Sequence, residues 1–186
     1  MTYTSAYPTG YSTTYVKATN AEAPAHQACN PALSVTSTDH ANNSHYGDVS
    51  TGGSQRFHMD LGSAVIIRRI YYENNFFSTG TNTDNGWKTI TFWGSNSATA
   101  FAELTYATNT DWVQLTIDSS QCVQHPANSS ADPHYILVNN SVSYRYYGFK
   151  VADGWGSGTY LGIRRIELQT QDGYVPAKGS FLLNFV

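Results

Sequence analysis

Charge is scarce in this chain. Lys, Arg, Asp and Glu make up 12% of its 186 residues, against about 25% in an average soluble domain. The net charge of −3 leaves no basic stripe to neutralise phosphates, which excludes nucleic acid as a partner. The acidic excess is equally too small to imply a cationic one. Cysteine is almost missing: Cys29 and Cys122 form no CxxC or Cys/His cluster, so nothing suggests a zinc site. No apolar run approaches the roughly 20 residues of a membrane span, and no membrane insertion is expected. The opening MTYTSAYPTGYSTTYVK lacks the charged start and apolar core of a secretory signal. Localisation stays open between a virion or cell-surface setting and the cytoplasm. GxSxG, HExxH, P-loop and GxGxxG motifs are all absent, so catalysis finds no support and no enzyme is expected.

What the chain does have is aromatic and hydroxyl-bearing. Aromatics reach 14%, with fourteen Tyr, and Ser, Thr and Asn are abundant. That composition suits an all-β protein with a neutral surface. The length allows one substantial domain that buries on the order of 70% of its unfolded surface. Period-two alternation supports strands. Phe57, Met59 and Leu61 fall on one face while Arg56, His58 and Asp60 fall on the other. Ile66–Tyr72 reads as a strand buried on both sides in its middle. Ile90 and Phe92 sit opposite Thr89, Thr91 and Trp93. Weaker strands are expected at Ala32–Thr36, Phe101–Tyr106, Trp112–Ile117 and Tyr135–Asn139.

Five segments carry a family resemblance in their order and spacing. They are His58-Met59-Asp60-Leu61-Gly62-Ser63, Ile66–Tyr72, Ile90-Thr91-Phe92-Trp93-Gly94-Ser95-Asn96, Tyr144–Val151 and Gly162–Leu168. Over roughly residues 30–171 the chain resembles the discoidin domain, or coagulation factor 5/8 type C domain, and its galactose-binding-like carbohydrate-module relatives. The resemblance implies a jelly-roll β-sandwich with ligand loops clustered at one end and an aromatic just before the final strand. Trp155 or Tyr160 takes that position. The resemblance also implies a structural calcium, with Glu167 at the family's Glu; the family's Asp-Gly motif is missing, and Asp39 and Asp48 are the nearest carboxylates. Family members bridge the start of the domain to its end by a disulfide. Cys122 is not at the end, so two free thiols are expected here.

Sugars present an apolar C–H face and a hydroxyl edge, so recognition asks for aromatic platforms beside fixed polar groups. Three long polar loops offer these. The glycine-rich loop Asp153–Tyr160 supplies Asp153, Trp155 and Tyr160. The loop Asn74–Gly86 adds Phe77, Asp84 and Asn85, with Trp87 at its exit. The first long loop adds His40, His45 and Tyr46. Arg145 offers a fork of donors suited to hydroxyls or carboxylates. Plainer readings stand beside these. Either Trp plugs the end of the core, a loop His is an ordinary surface imidazole, Arg145 is structural, and Glu167 faces solvent from a strand.

The chain divides into an N-terminal arm (1–29), a sandwich (30–171) and a C-terminal extension (172–186). Tyr3, Tyr7, Tyr11 and Tyr15 recur every four residues, but Pro8 and Gly10 oppose helix. An extended arm packed on a neighbouring surface and a disordered leader both fit. Phe181, Leu182, Leu183, Phe185 and Val186 form an apolar terminus that must pack on something. The expected function is non-catalytic binding of a glycan or glycoconjugate, as in adhesion, by several copies held together. The alternative is a structural or decoration subunit of a phage particle or filament, with self-association through the termini.

Overall fold

A computed structural model describes residues 1–49, 53–77, 81–156 and 159–175. In chain order the strands are β1 (Tyr3–Ala6), β2 (Val16–Ala18), β3 (Ala21–Ala23), β4 (His45–Asp48), β5 (Gln55–Val65), β6 (Arg69–Asn74), β7 (Trp87–Ser95), β8 (Val113–Ile117), β9 (Pro133–Asn139), β10 (Tyr144–Gly154) and β11 (Tyr160–Gln171). Two short helices, α1 (His40–Asn43) and α2 (Ala98–Ala102), and a 3-10 turn at Ala25–Cys29 complete the described elements. The strands hydrogen-bond in the order β2-β5-β10-β7-β8-β9-β6-β11-β4-β3, with β1 also on β11. β8 pairs with β7 through Val113–Leu115 and with β9 through Thr116 and Ile117. At β8 the path therefore passes from one layer of a β-sandwich to the other, and the protein is all-β as the alternation implied.

Inward residues from both layers make one core. Phe57 and Met59 of β5, Ile90 and Phe92 of β7, and Tyr147, Phe149 and Val151 of β10 meet Ile70 and Tyr72 of β6 and Ile163, Ile166 and Leu168 of β11. Aromatic rings pack edge to face and stacked within it, Phe57 on Trp87 at 5.5 Å and Phe92 on Tyr147 at 5.4 Å. The spacing Ile163, Ile166, Leu168 breaks strict alternation. A register shift between Ile163 and Arg165 in the β6 pairing supplies the extra residue that brings all three inward.

The opposite face of β5 is also buried, which alternation alone does not foresee. Arg56, His58 and Asp60 are 1%, 0% and 5% exposed. Arg56 and His58 lie beneath α2 and the segment after it, where Phe101 and Trp112 pack with Tyr146 and Trp93, and Asp60 is covered by Arg145. Arg56 donates to Asn109 Oδ1 (2.7 Å) and to Thr108 O, and His58 Nδ1 bonds Phe101 O (3.0 Å). The strand expected at Phe101–Tyr106 is thus a helix and a loop. Ser97 sets it, its Oγ capping the helix by accepting from Ala100 N (3.3 Å). The strand expected at Ala32–Thr36 is replaced by side-chain-closed turns, Asn30 Oδ1 accepting from Ala32 N and Ser34 Oγ from Thr36 N. The Ile66–Tyr72 strand starts later, at Arg69, because residues 66–68 make the crossing between β5 and β6.

Residues 1–29 form part of the sandwich. β1 pairs with the end of β11, β2 with β5 and β3 with β4, and Val16, Ala25, Ala28 and Cys29 lie in the core. The four-residue tyrosine spacing covers β1 and the turns after it, and β2 and β3 follow directly. Of the extension 172–175, Asp172 N donates to Thr2 O (3.0 Å) and the Tyr174 ring lies 4.4 Å from the Arg68 guanidinium. The apolar residues Phe181–Val186 lie outside the described residues. Cys29 and Cys122 are both buried and unpaired. Burial pushes both thiols well up, Cys122 to about 12.

Two buried imidazoles make stability depend on pH. Burial pushes His45 and His58 down to about 4, with the Arg56 charge adding to the effect at His58. Below about pH 6.5 the unfolded chain takes up protons that the folded chain refuses. Stability is therefore full above that pH and falls as the pH drops toward 4, by up to about 1.4 kcal/mol per pH unit for each ring. Urea unfolding at pH 7, 5.5 and 4.5 should show this decline, and His58→Gln should lessen the slope by about one proton.

Candidate functional site

Gly154 lets two loops close on one another at one end of the sandwich. A Cβ there would stand 3.1 Å from both Asp84 O and Gly86 O, so any larger residue would push β10 away from the 84–86 backbone. Gly154 thus makes room for a neighbouring loop. Trp155 N then donates to Asp84 O (3.0 Å), and its indole Nε1 to Trp87 O (3.2 Å). This leaves the Trp155 ring half-buried, with Lys88 Nζ 5.3 Å from its centre. The Asp84 side chain is exposed beside it, with Gln124 Nε2 at 3.5 Å. On the far side of the β10–β11 turn, Tyr160 opens β11 and meets Tyr46 of β4 edge to face at 5.9 Å. Tyr46 lies 5.2 Å from Phe77, and Phe77 lies 4.1 Å from His40 of α1. The rings of His40, Tyr46, Phe77 and Tyr160, all half-buried, form one cluster from three loops.

Arg164 holds that cluster together. Its guanidinium donates to Ser37 O (2.6 Å) in the first loop and to Phe76 O (2.8 Å) in the second, and lies 3.7 Å over the Phe76 ring. The side chain is fully buried, and burial lowers its pKa to about 10, so it stays charged at neutral pH. Sequence reading passed over Arg164, Lys88 and Gln124. Only Arg164 gave a signal, as one of two adjacent arginines between the apolar residues Ile163 and Ile166.

Four expected ligand residues leave the set. Trp87 has no exposed surface, and its indole donates to Gln55 Oε1 (3.2 Å) inside the core. His45 is equally buried, its Nδ1 bonded to Ala23 O (2.8 Å) and its ring against Phe57. The Asn85 side chain is buried, while its carbonyl accepts from Gly162 N (2.8 Å). Arg145 lies at the other end of β10, about 30 Å from Trp155 at ~3.3 Å per residue. There it forms a two-pronged pair with Asp60 (2.8 and 2.9 Å). Burial alone would raise Asp60, but the Arg145 and Gly62 hydrogen bonds hold its carboxyl below the usual range. Asp153 stays at the loop end and exposed, although its Oδ1 accepts from Thr89 N (2.9 Å) and so braces the bulge in β10.

The three carboxylates considered for calcium do not converge. Asp48 sits opposite Tyr160 and Glu167 opposite Tyr71, seven residues apart on β11, or about 23 Å. Glu167 is engaged by Ser5 Oγ (2.7 Å) and Arg165 (3.4 Å), while Asp39 is exposed and accepts from Asn42 (2.9 Å). Among the described residues no three His, Cys, Asp or Glu side chains group to hold a metal ion. These residues do not fit a calcium site.

No protein-family model and no curated protein matches the sequence. Solved structures match its shape. A structure from the Streptococcus pneumoniae β-galactosidase BgaA aligns with a TM-score of 0.65 at 8% identity, over 90% of this chain and 98% of that one. The family 32 carbohydrate-binding module of Clostridium perfringens NanJ, solved with galactose, gives 0.52 at 12% identity over 83% and 92%. The lectin domain of Lectinolysin, complexed with Lewis B antigen, gives 0.53 at 10% identity over 82% and 89%. The chain has the galactose-binding-like jelly-roll fold. Identity this low carries the fold and nothing finer. A cleft of about 360 Å³ lies away from the ring cluster, between β7 and β8, lined by Thr91, Gln114, Leu115 and Thr116.

Replacing Arg164 removes two charge-assisted bonds between loops and strand. Arg164→Met should lower unfolding stability by about 3 kcal/mol or more, and should broaden the NMR signals of Tyr46 and Phe77 while leaving those of Phe92 sharp.

Proposed function

We propose that the protein is a non-catalytic carbohydrate-binding module that takes a glycan at the loop end, on Trp155 and on the cluster of Tyr46, Phe77 and Tyr160. The observation that carries this reading is the juxtaposition of Trp155 with the 84–86 loop through the Asp84 carbonyl. It sets an indole beside an exposed carboxylate, Asp84, and an ammonium, Lys88. Aromatic faces suit the C–H side of a pyranose, and Asp84, Asp153, Lys88 and Gln124 suit its hydroxyls. The fold supports the reading as well, since the NanJ module was solved with galactose and the Lectinolysin domain with Lewis B antigen.

A multivalent glycan array tests the site. Wild-type protein should bind a subset of neutral glycans. Trp155→Ala should weaken that binding by about tenfold or more and Tyr160→Ala by a few-fold, from lost stacking area. Binding that both variants retain in full would remove the loop end from the function.

Single sites of this kind are weak, so several copies acting together give useful avidity. The composition of the tail supports self-association as the route, because five of its last six residues are Phe, Leu or Val. The same feature favours the second reading, a subunit of a particle or filament. Light-scattering mass before and after deletion of Pro176–Val186 should fall from oligomer to monomer; an unchanged oligomer would discard the tail as its cause.

A further inference from the structure

The outward face of β1, β11, β6 and β9 carries tyrosines and polar groups in cross-strand rows. Ser5 lies opposite Gln169, Gln169 opposite Arg69, and Arg69 opposite Leu137; the adjacent row runs Glu167, Tyr71, Tyr135. Arg69 is the centre of this face. Its guanidinium lies 3.8 Å from the Tyr3 ring centre and 4.4 Å from that of Tyr135. Its Nε donates to Gln169 Oε1 (2.6 Å), and Gln169 Nε2 donates to Ser5 Oγ (3.2 Å). Two rings and one hydrogen bond thus hold a planar cation still.

The other five arginines spend terminal nitrogens on the protein. Arg56 donates to Asn109, Arg68 to Asn140 O, Arg145 to Asp60, Arg164 to Ser37 O and Phe76 O, and Arg165 to Leu33 O. Among the described residues, Arg69 has no acidic partner and its terminal nitrogens donate to no group. The two nearby acids are already occupied. Glu167 is engaged by Arg165 and Ser5, and Glu73 by the Tyr71 hydroxyl and Asp132 N (2.9 Å). Beside this fork Tyr135 is 53% exposed.

We propose that this face is a second saccharide site, at which Arg69 receives the carboxylate of an acidic sugar such as a uronic acid. A guanidinium fixed through Nε keeps its paired terminal edge for a two-oxygen acceptor, and holding it in place beforehand reduces what binding must order. Tyr135 and Tyr71 supply ring surface for the sugar's C–H face. This proposal rests on the reading of the chain as a glycan binder. Its site is separate, for Gln169 stands nine residues along β11 from Tyr160, about 30 Å away. The ring cluster at the loop end has no comparable fork, since Arg164 is buried there and committed to carbonyl oxygens.

The test titrates wild-type protein with a galacturonate oligosaccharide and with its methyl ester, following arginine Nε–H signals by NMR; Arg69→Lys assigns the Arg69 signal. That signal should move saturably with the acid and stay still with the ester. Arg69→Lys, which keeps the charge and loses the fork, should weaken acid binding by about tenfold, and Tyr135→Ala by a few-fold. Trp155→Ala should leave it unchanged. Urea midpoints of the variants confirm that they are folded. Equal affinity for acid and ester, or full binding by Arg69→Lys, would overturn the proposal. A response to acetate or sulfate equal to that for the sugar would also overturn it, leaving a simple anion site. An Arg69 shift in a protein whose Trp155 region binds no glycan would keep this site and discard the loop-end reading.

Discussion

Arg164 sits on β11 with no exposed surface and, among the described residues, no ion pair. A charge in that position is tolerated only if polar atoms surround it. The carbonyls of Ser37 and Phe76 do so, together with the Phe76 ring, and each belongs to a different loop. Satisfying the cation therefore fixes where the loops go. Phe77 follows directly from Phe76, and His40 and Tyr46 follow from the segment holding Ser37, so the ring cluster inherits its geometry from one guanidinium. The loops at this end thus take their positions from a strand in the core.

The same logic explains how the sequence was read and misread. Strands that alternate beside the core were legible, because burial of one face leaves a period-two trace in Phe57, Met59, Ile90 and Phe92. The whole of 1–29 was less so. Its strands are three or four residues long, too short for a period, and they are held by pairing partners far along the chain. The helix at Ala98–Ala102 was masked by Phe101, whose burial comes from covering the outer face of β5 rather than from lying in a sheet.

At the site, residue type was a better guide than residue role. Trp155, Tyr160, Tyr46, Phe77 and Asp84 come together at one end, whereas Trp87 and His45 differ from them only in depth. Sequence does not report depth for a residue at a loop boundary: Trp87 is the first residue of β7 and points inward, while Trp155 follows the last residue of β10 and stays half-buried. Arg145 illustrates another gap. Its partner Asp60 lies 85 positions away, and only the antiparallel register of β5 and β10 brings the two together.

A protein with so few charges must place each one with care, because there is little bulk electrostatics to compensate an error. Arg145 neutralises a nearly buried aspartate, Arg165 meets Glu167, Arg56 and Arg164 tie covering segments and loops to strands, and Arg68 fixes the turn at Asn140. All but the Arg165–Glu167 pair join parts of the chain distant in sequence. Among the described residues Arg69 alone of the six arginines gives its terminal nitrogens no partner. Its one hydrogen bond is made within the sheet, to the neighbouring strand that backbone pairing already holds. Stability gains little from a cation held that way at the surface, so the rigidity around it is more economically explained by what it presents outward than by what it secures within.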